Sequence, residues 1–278
     1  MNTETTGTTA SSAPLVSRRS SRSPVWRAAA LALVAAVGVT ALAACGGGRS
    51  DGVSDSGESK TAGKNTNTPK VLWMGDSIAG AEAPALGAAL KAADVPFKSM
   101  AADGGGGVIG EVAEPTWDEL PKQLTSFKPD VVAYQITTYD WGKPGEQRAA
   151  YEKLAKTVGD AGAELVLVTA PPFKIDSFYK PHAAEIKTAP KSAEAVADRH
   201  EGKVRFLDSA ALWGTDGTAP KALRSKDGIH SCQQGSAAFA QWLGKELGRV
   251  YSFTPAPADR WATGSWTGAK VYGPLGCK

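Results

Sequence analysis

Between Lys70 and about Val250, short apolar runs alternate with stretches of helical pattern, and this alternation restricts the fold more than any other feature of the chain. The runs are Val71–Met74, Val95–Ala101, Val131–Thr137, Leu165–Thr169 and Val204–Leu207, all of strand length. Ala81–Ala93, Trp117–Phe127, Gly145–Ala161 and Ala183–His200 read as intervening helices, and Gln233–Val250 as a closing one. Tyr151, Leu154 and Val158 form a buried stripe in one helix, and Ala238, Trp242 and Leu247 face inward in the last. Pro190 is expected to interrupt the fourth helix, because proline lacks the amide proton that continues the ladder. Strands spaced by helices predict an α/β protein: a parallel sheet of about five strands with helices on both faces, a three-layer α/β/α sandwich. Roughly 180 residues make one ordinary domain, and no internal repeat is visible.

In such sheets the site lies beyond the carboxyl ends of the strands. Gly75-Asp76-Ser77 follows the first strand, and Asp227-Gly228-Ile229-His230 lies in a polar loop before the last helix. A serine hydroxyl is a poor nucleophile at neutral pH and needs a base within hydrogen-bond reach. A histidine serves best when a carboxylate fixes its tautomer and steadies its cation. Ser77, His230 and Asp227 supply the three groups, and Asp and His at this spacing face one another across a single turn. Asp76 is expected to shape the turn rather than react.

These residues resemble the SGNH, or GDSL-type, esterase and acyltransferase superfamily. Its first block is a strand ending in Gly-Asp-Ser, and its last is Asp-x-x-His. The resemblance implies a flavodoxin-like sheet and an acyl-serine intermediate on Ser77. It also implies an oxyanion hole built from the Ser77 amide, a glycine amide of the second block and an asparagine of the third. Gly107-Val108-Ile109-Gly110-Glu111 fits the second block, which makes Gly107 the expected donor; the run Gly104 to Gly107 leaves the register open by a residue or two. The third block departs from the family's Gly-x-Asn-Asp: the strand continues Tyr134-Gln135-Ile136-Thr137-Thr138-Tyr139-Asp140-Trp141, with Tyr139 where the asparagine belongs. Either the Tyr139 phenol takes over, or Gln135 or Thr138 does, or the hole has two donors. A subgroup often fused to membrane acyltransferases carries an aromatic residue at this place and ends in Arg-x-Asp-Gly-[Val/Ile]-His; Arg224 to His230 is similar to that ending.

Arg18, Arg19, Arg22 and Arg27 precede an uncharged apolar run, Ala28–Ala44, too short and alanine-rich for a membrane span. Leu42-Ala43-Ala44-Cys45 resembles a bacterial lipobox, which implies cleavage before Cys45 and lipid on its sulfur; an ordinary signal peptide or anchor helix is the alternative. The residues after Arg18-Arg19 fit a twin-arginine signal poorly, and the export route stays open. Residues 1–44 are thus expected to be a signal peptide, 45–69 a flexible linker, 70–250 the catalytic domain and 251–278 a tail packed on it. That tail holds Trp261, Trp266 and Tyr272, with burial the expected fate and sugar stacking the alternative.

With Cys45 lipidated, Cys232 and Cys277 remain as a pair, and an oxidising extracytoplasmic space favours a disulfide between them. The net charge of +3 belongs to the leader: removing Glu4 and the four arginines of residues 1–44 from 28 acidic and 31 basic residues leaves 27 of each. Without a basic run, nucleic acid is not an expected partner. No zinc spacing and no phosphate- or dinucleotide-binding glycine pattern occurs, so neither metal nor cofactor is expected. His182 and His200 read as incidental, without a carboxylate at a catalytic spacing. The expected protein is a monomeric extracytoplasmic serine esterase or O-acyltransferase, held to the membrane through Cys45. Its substrate would be a small ester or an acylated cell-envelope glycan. The alternative is a non-catalytic protein of the same scaffold that binds such glycan.

Overall fold

The computed structural model describes residues 68–277; Cys45, the leader and the linker up to residue 67 lie outside the described residues. Val71–Met74 (β1) leads into helix Ser77–Ala92 (α1) and strand Phe97–Ser99 (β2). Glu114–Phe127 (α2), Val131–Gln135 (β3), Pro144–Asp160 (α3) and Glu164–Val168 (β4) follow. Ala183–Arg199 (α4), Val204–Leu207 (β5), the short Ala210–Trp213 (α5) and Gln233–Tyr251 (α6) complete the order. The five strands are all parallel, in the order β2-β1-β3-β4-β5. The chain leaves β1 in one direction for β2 and returns on its other side as β3, so a crevice opens between the carboxyl ends of β1 and β3.

Strand side chains alternate between two cores, as a strand's two-residue period requires. Leu72, Met74, Val132, Tyr134, Leu165 and Leu167 pack with α2, α3 and α4; Val71, Trp73, Val131, Ala133, Val166 and Val168 pack with α1 and α6. Both faces are therefore covered, which is why the strands read as unbroken apolar runs. Tyr151, Leu154 and Val158 are all fully buried.

Three local expectations are corrected by packing. Helix α1 begins at Ser77 rather than Ala81, because the Asp76 carboxylate accepts the Ile78 amide as an N-cap (2.9 Å). Helix α4 runs through Pro190: Ala189, Ala193, Val196 and Ala197 are buried, and Thr188 and Ser192 donate to Gln147 of α3 at 3.0 and 2.9 Å. Those tertiary contacts outweigh the one ladder bond that proline removes. In α6 the inward stripe is Phe239, Leu243 and Leu247, with Ala238 and Trp242 only partly buried. Phe239 sets this phase by packing on Trp73 of β1, ring centroids 5.6 Å apart.

After α6 the tail lies on the α1/α6 face. Phe253 and Trp261 are buried there, and Tyr272 donates its hydroxyl to the Ala81 carbonyl (3.0 Å). Cys232, the residue before α6, is bonded to Cys277 across a separation of 45 residues. No helix among the described residues is long and apolar enough to cross a membrane.

Candidate active site

Ser77 is the first residue of α1, so its amide lies in a first turn whose N–H groups have no intrahelical acceptor. Asp76 places it there. Besides capping Ile78, the buried Asp76 carboxylate accepts the amide and hydroxyl of Thr138, both at 2.8 Å, and so ties the end of β1 to the loop after β3. Burial raises the Asp76 pKa, with these hydrogen bonds opposing.

The loop carrying His230 closes on itself. Arg224 and Ser231 form an antiparallel bridge, and the Ser225 amide donates to the His230 carbonyl at 2.7 Å. One Asp227 oxygen accepts from Ser225 Oγ (2.6 Å) and the amides of Ile229 (2.7 Å) and His230 (3.0 Å). The other lies 2.7 Å from His230 Nδ1. Partial burial opposes ionisation of Asp227, but the donors prevail and hold its pKa at about 2. An ionised carboxylate only accepts, so Nδ1 carries the proton and, in the neutral ring, Nε2 presents its lone pair. His230 Nε2 sits 2.8 Å from Ser77 Oγ, across 153 residues of chain. The structure thus brings Ser77, His230 and Asp227 into one hydrogen-bonded line at the carboxyl edge of the sheet.

The glycine loop is fastened beside them. Asp140, fully buried, accepts from the Val108 amide (3.2 Å), the Thr137 amide (3.2 Å), Tyr134 (2.6 Å) and Tyr151 (3.0 Å). Gly107, the residue before, is buried, and a Cβ added there would meet Thr137, Asp140 and Tyr139 at 3.1, 3.2 and 3.5 Å. Gly106 has φ +80°, and a Cβ there would lie 2.0 Å from the Gly75 carbonyl oxygen, so only glycine lets this loop meet the end of β1.

Two of the candidate replacements for the missing asparagine are engaged elsewhere. Gln135 donates to buried Glu82 at 2.7 Å, and the Thr138 hydroxyl is held by Asp76. Tyr139 remains: its ring is half-buried, and its phenol makes no hydrogen bond among the described residues. Burial raises its pKa, which keeps the phenol protonated and able to donate.

Asp140, Gly106 and Glu82 are contributors that sequence reasoning passes over. Glu82 lies within a helix dominated by alanine, and nothing local marks it as the buried partner of Gln135 and Ser231. His182 and His200 lie apart from the Ser77 line, each beside a carboxylate: Glu185, 3.2 Å from His182, and Glu152 beside His200.

A serine–histidine–carboxylate line at the carboxyl edge of a doubly covered parallel sheet defines an α/β/α serine hydrolase. The chain belongs to the SGNH family: residues 44–238 match the family described as the SGNH domain fused to AT3 domains. Its class is that of the GDSL-type hydrolases that act on acyl esters. No curated protein matches the chain significantly. Among solved structures it is similar to a mutant of an acetyl-xylooligosaccharide esterase from Geobacillus stearothermophilus, with 16% identity, TM-score 0.50, and 66% of this chain and 96% of that one covered. A candidate acylhydrolase from Bacteroides fragilis gives 14% identity and TM-score 0.52 over 67% of this chain and 90% of its own. An alpha/beta hydrolase from the metagenome of Lake Arreo gives 17% identity and TM-score 0.51 over 65% and 95%. These likenesses establish the fold.

Proposed function

We propose that this protein hydrolyses or transfers a small acyl group on oxygen through an acyl-Ser77 intermediate. The carrying observation is the contact of Ser77 Oγ with His230 Nε2 at 2.8 Å, backed by Asp227 at 2.7 Å from Nδ1. His230 takes the Ser77 proton as Oγ attacks the acyl carbon, and Asp227 steadies the imidazolium. The oxyanion of the tetrahedral intermediate is met by the amides of Ser77 and Gly107, with the Tyr139 phenol as third donor. Collapse expels the leaving alkoxide, which takes the proton from His230. Water or an acceptor hydroxyl then repeats the sequence on the acyl-enzyme, so hydrolysis and transfer share every residue named.

The substrate in this reading is an ester-linked acyl group on cell-envelope glycan or a small ester. The similarity to a xylooligosaccharide esterase supports a carbohydrate ester, and the resemblance of Leu42-Ala43-Ala44-Cys45 to a lipobox supports an extracytoplasmic, lipid-anchored enzyme. The decisive experiment incubates purified protein with p-nitrophenyl acetate and seeks the acetyl adduct on Ser77 by mass spectrometry. Ser77→Ala and His230→Ala are each expected to remove nearly all turnover, and the double variant to lose little more, since the members act as a unit. A double variant far below either single would refute the assignment. Labelled palmitate entering wild type but not Cys45→Ser supports the anchor, and equal labelling refutes it. A non-catalytic glycan-binding role is favoured only by Tyr139 in place of asparagine, and the intact Ser77–His230–Asp227 line weighs against it.

A further inference from the structure

The loops after β3 and β4 carry a partly exposed aromatic shelf, of which the acyl chemistry uses only the Tyr139 hydroxyl. Tyr139, Trp141 and Phe178 meet edge to face or tilted, with centroids 5.4, 6.3 and 6.0 Å apart. Trp141 also lies nearly parallel to His182, 3.9 Å away at 21°. Phe178 is 57% exposed, the most exposed large apolar side chain among the described residues. Aromatic rings left in water beside one another mark a binding surface, because hydrophobic burial favours covering them.

Three connections fix the shelf to the reaction centre. A Cβ added at Gly107, the expected oxyanion donor, would lie 3.5 Å from the Tyr139 Cβ, so the two pack side by side. Tyr179 meets Phe178 edge-on at 5.0 Å and contacts Thr138 at 3.3 Å, and Thr138 in turn donates to Asp76, the neighbour of Ser77. The segment bearing Phe178 is tied to the histidine loop where the Lys174 amide donates to the Gly228 carbonyl at 2.9 Å. The shelf is thus joined through Thr138 to Asp76, the residue before Ser77.

We propose that the shelf is the subsite for a pyranose ring, the sugar that carries or accepts the acyl group; this rests on the acyl-transfer reading. A pyranose packs its C–H face on an aromatic ring while its rim of hydroxyls stays hydrated, and an open shelf permits both. An acyl chain would need walls on every side to leave water, and Phe178 has none on its open side. Asp103 acts on Tyr139 and Asp176 on Tyr179, and carboxylates accept hydrogen bonds from sugar hydroxyls.

The test uses the full chain with Ser77→Ala, which binds without turnover. Chitotetraose, xylotetraose and decanoate are titrated separately, followed by tryptophan fluorescence and calorimetry. At least one oligosaccharide is expected to saturate in the millimolar range, with affinity falling roughly tenfold in Phe178→Ala and in Trp141→Ala and largely kept in Phe178→Tyr. Circular dichroism and thermal melting establish that each variant is folded. The proposal is overturned by no saturation with either oligosaccharide, by affinities that ignore both alanine variants, or by decanoate alone binding at the shelf. Acylation of Ser77 in the otherwise native protein separates the two readings. Acylation without sugar binding removes the shelf and leaves acyl transfer, whereas sugar binding without acylation keeps the shelf and removes acyl transfer.

Discussion

Tyr139 and Glu82 are the residues whose chemistry is least ordinary. If the Tyr139 phenol donates to the oxyanion, its removal acts mainly in the transition state. Tyr139→Phe is then expected to lower turnover of p-nitrophenyl acetate about a hundredfold with little change in KM, the usual loss for one such donor. Tyr139→Asn should recover part of the rate by restoring the family's donor, and unchanged turnover in the Phe variant would leave a two-donor hole. Glu82 is fully buried, and burial, opposed by Arg224, pushes its pKa from 4.5 to about 8. The folded protein therefore holds a proton there that the unfolded chain releases, so this group's contribution to stability falls as pH rises from about 4.5 to about 8. Glu82→Gln keeps an oxygen for the Gln135 amide and cannot ionise. Melting temperature across that window is expected to fall more steeply in wild type than in the variant, and parallel curves would sink the assignment.

At the level of elements, the site depends on how the loop after β2 meets the end of β1. Gly104 and Gly106 both adopt left-handed backbone, at φ +69° and +80°, but only Gly106 approaches another backbone. Gly104→Ala is expected to cost about 1 kcal/mol of backbone strain in urea unfolding, with esterase activity retained. Gly106→Ala adds a carbon 2.0 Å from the Gly75 carbonyl and must displace the loop or the strand end. It should cost several times more and abolish turnover, and similar behaviour of the two variants would show that the loop is not wedged. Asp140 explains why displacement there is expensive. Its four donors come from β3, α3 and both flanking loops, so the Gly107 amide cannot move without breaking a buried carboxylate's partners.

On the scale of the whole molecule, the Cys232–Cys277 bond closes the sandwich by holding the tail against α1 and α6. Closing 45 residues removes unfolded-state entropy worth roughly 4 kcal/mol in the chain-entropy model. Cys277→Ser is expected to lose about that much in urea unfolding. It should also speed hydrogen exchange in residues 252–277, where Trp261 and Tyr272 are otherwise buried. An unchanged midpoint would mean that the tail's apolar contacts alone secure it.

What the sequence alone determined is what residue order and chemical identity carry. Apolar runs of strand length disclose a doubly covered parallel sheet, since each strand must bury both faces. Ser77, Asp227 and His230 were legible as a set because nucleophile, acid and base must be these residue types at strand and loop ends. The cysteine pair was legible because few thiols were available. Tertiary structure alone decided matters of partnership across long separations. It carried α4 through Pro190, rotated α6 to bury Phe239, drew Gln135 onto Glu82 and Thr138 onto Asp76, and gathered Tyr139, Trp141, Phe178 and His182 into one shelf. In each case the deciding energy is burial or a hydrogen bond to a group from another element. No local pattern encodes such a partner, because it exists only once the chain has folded.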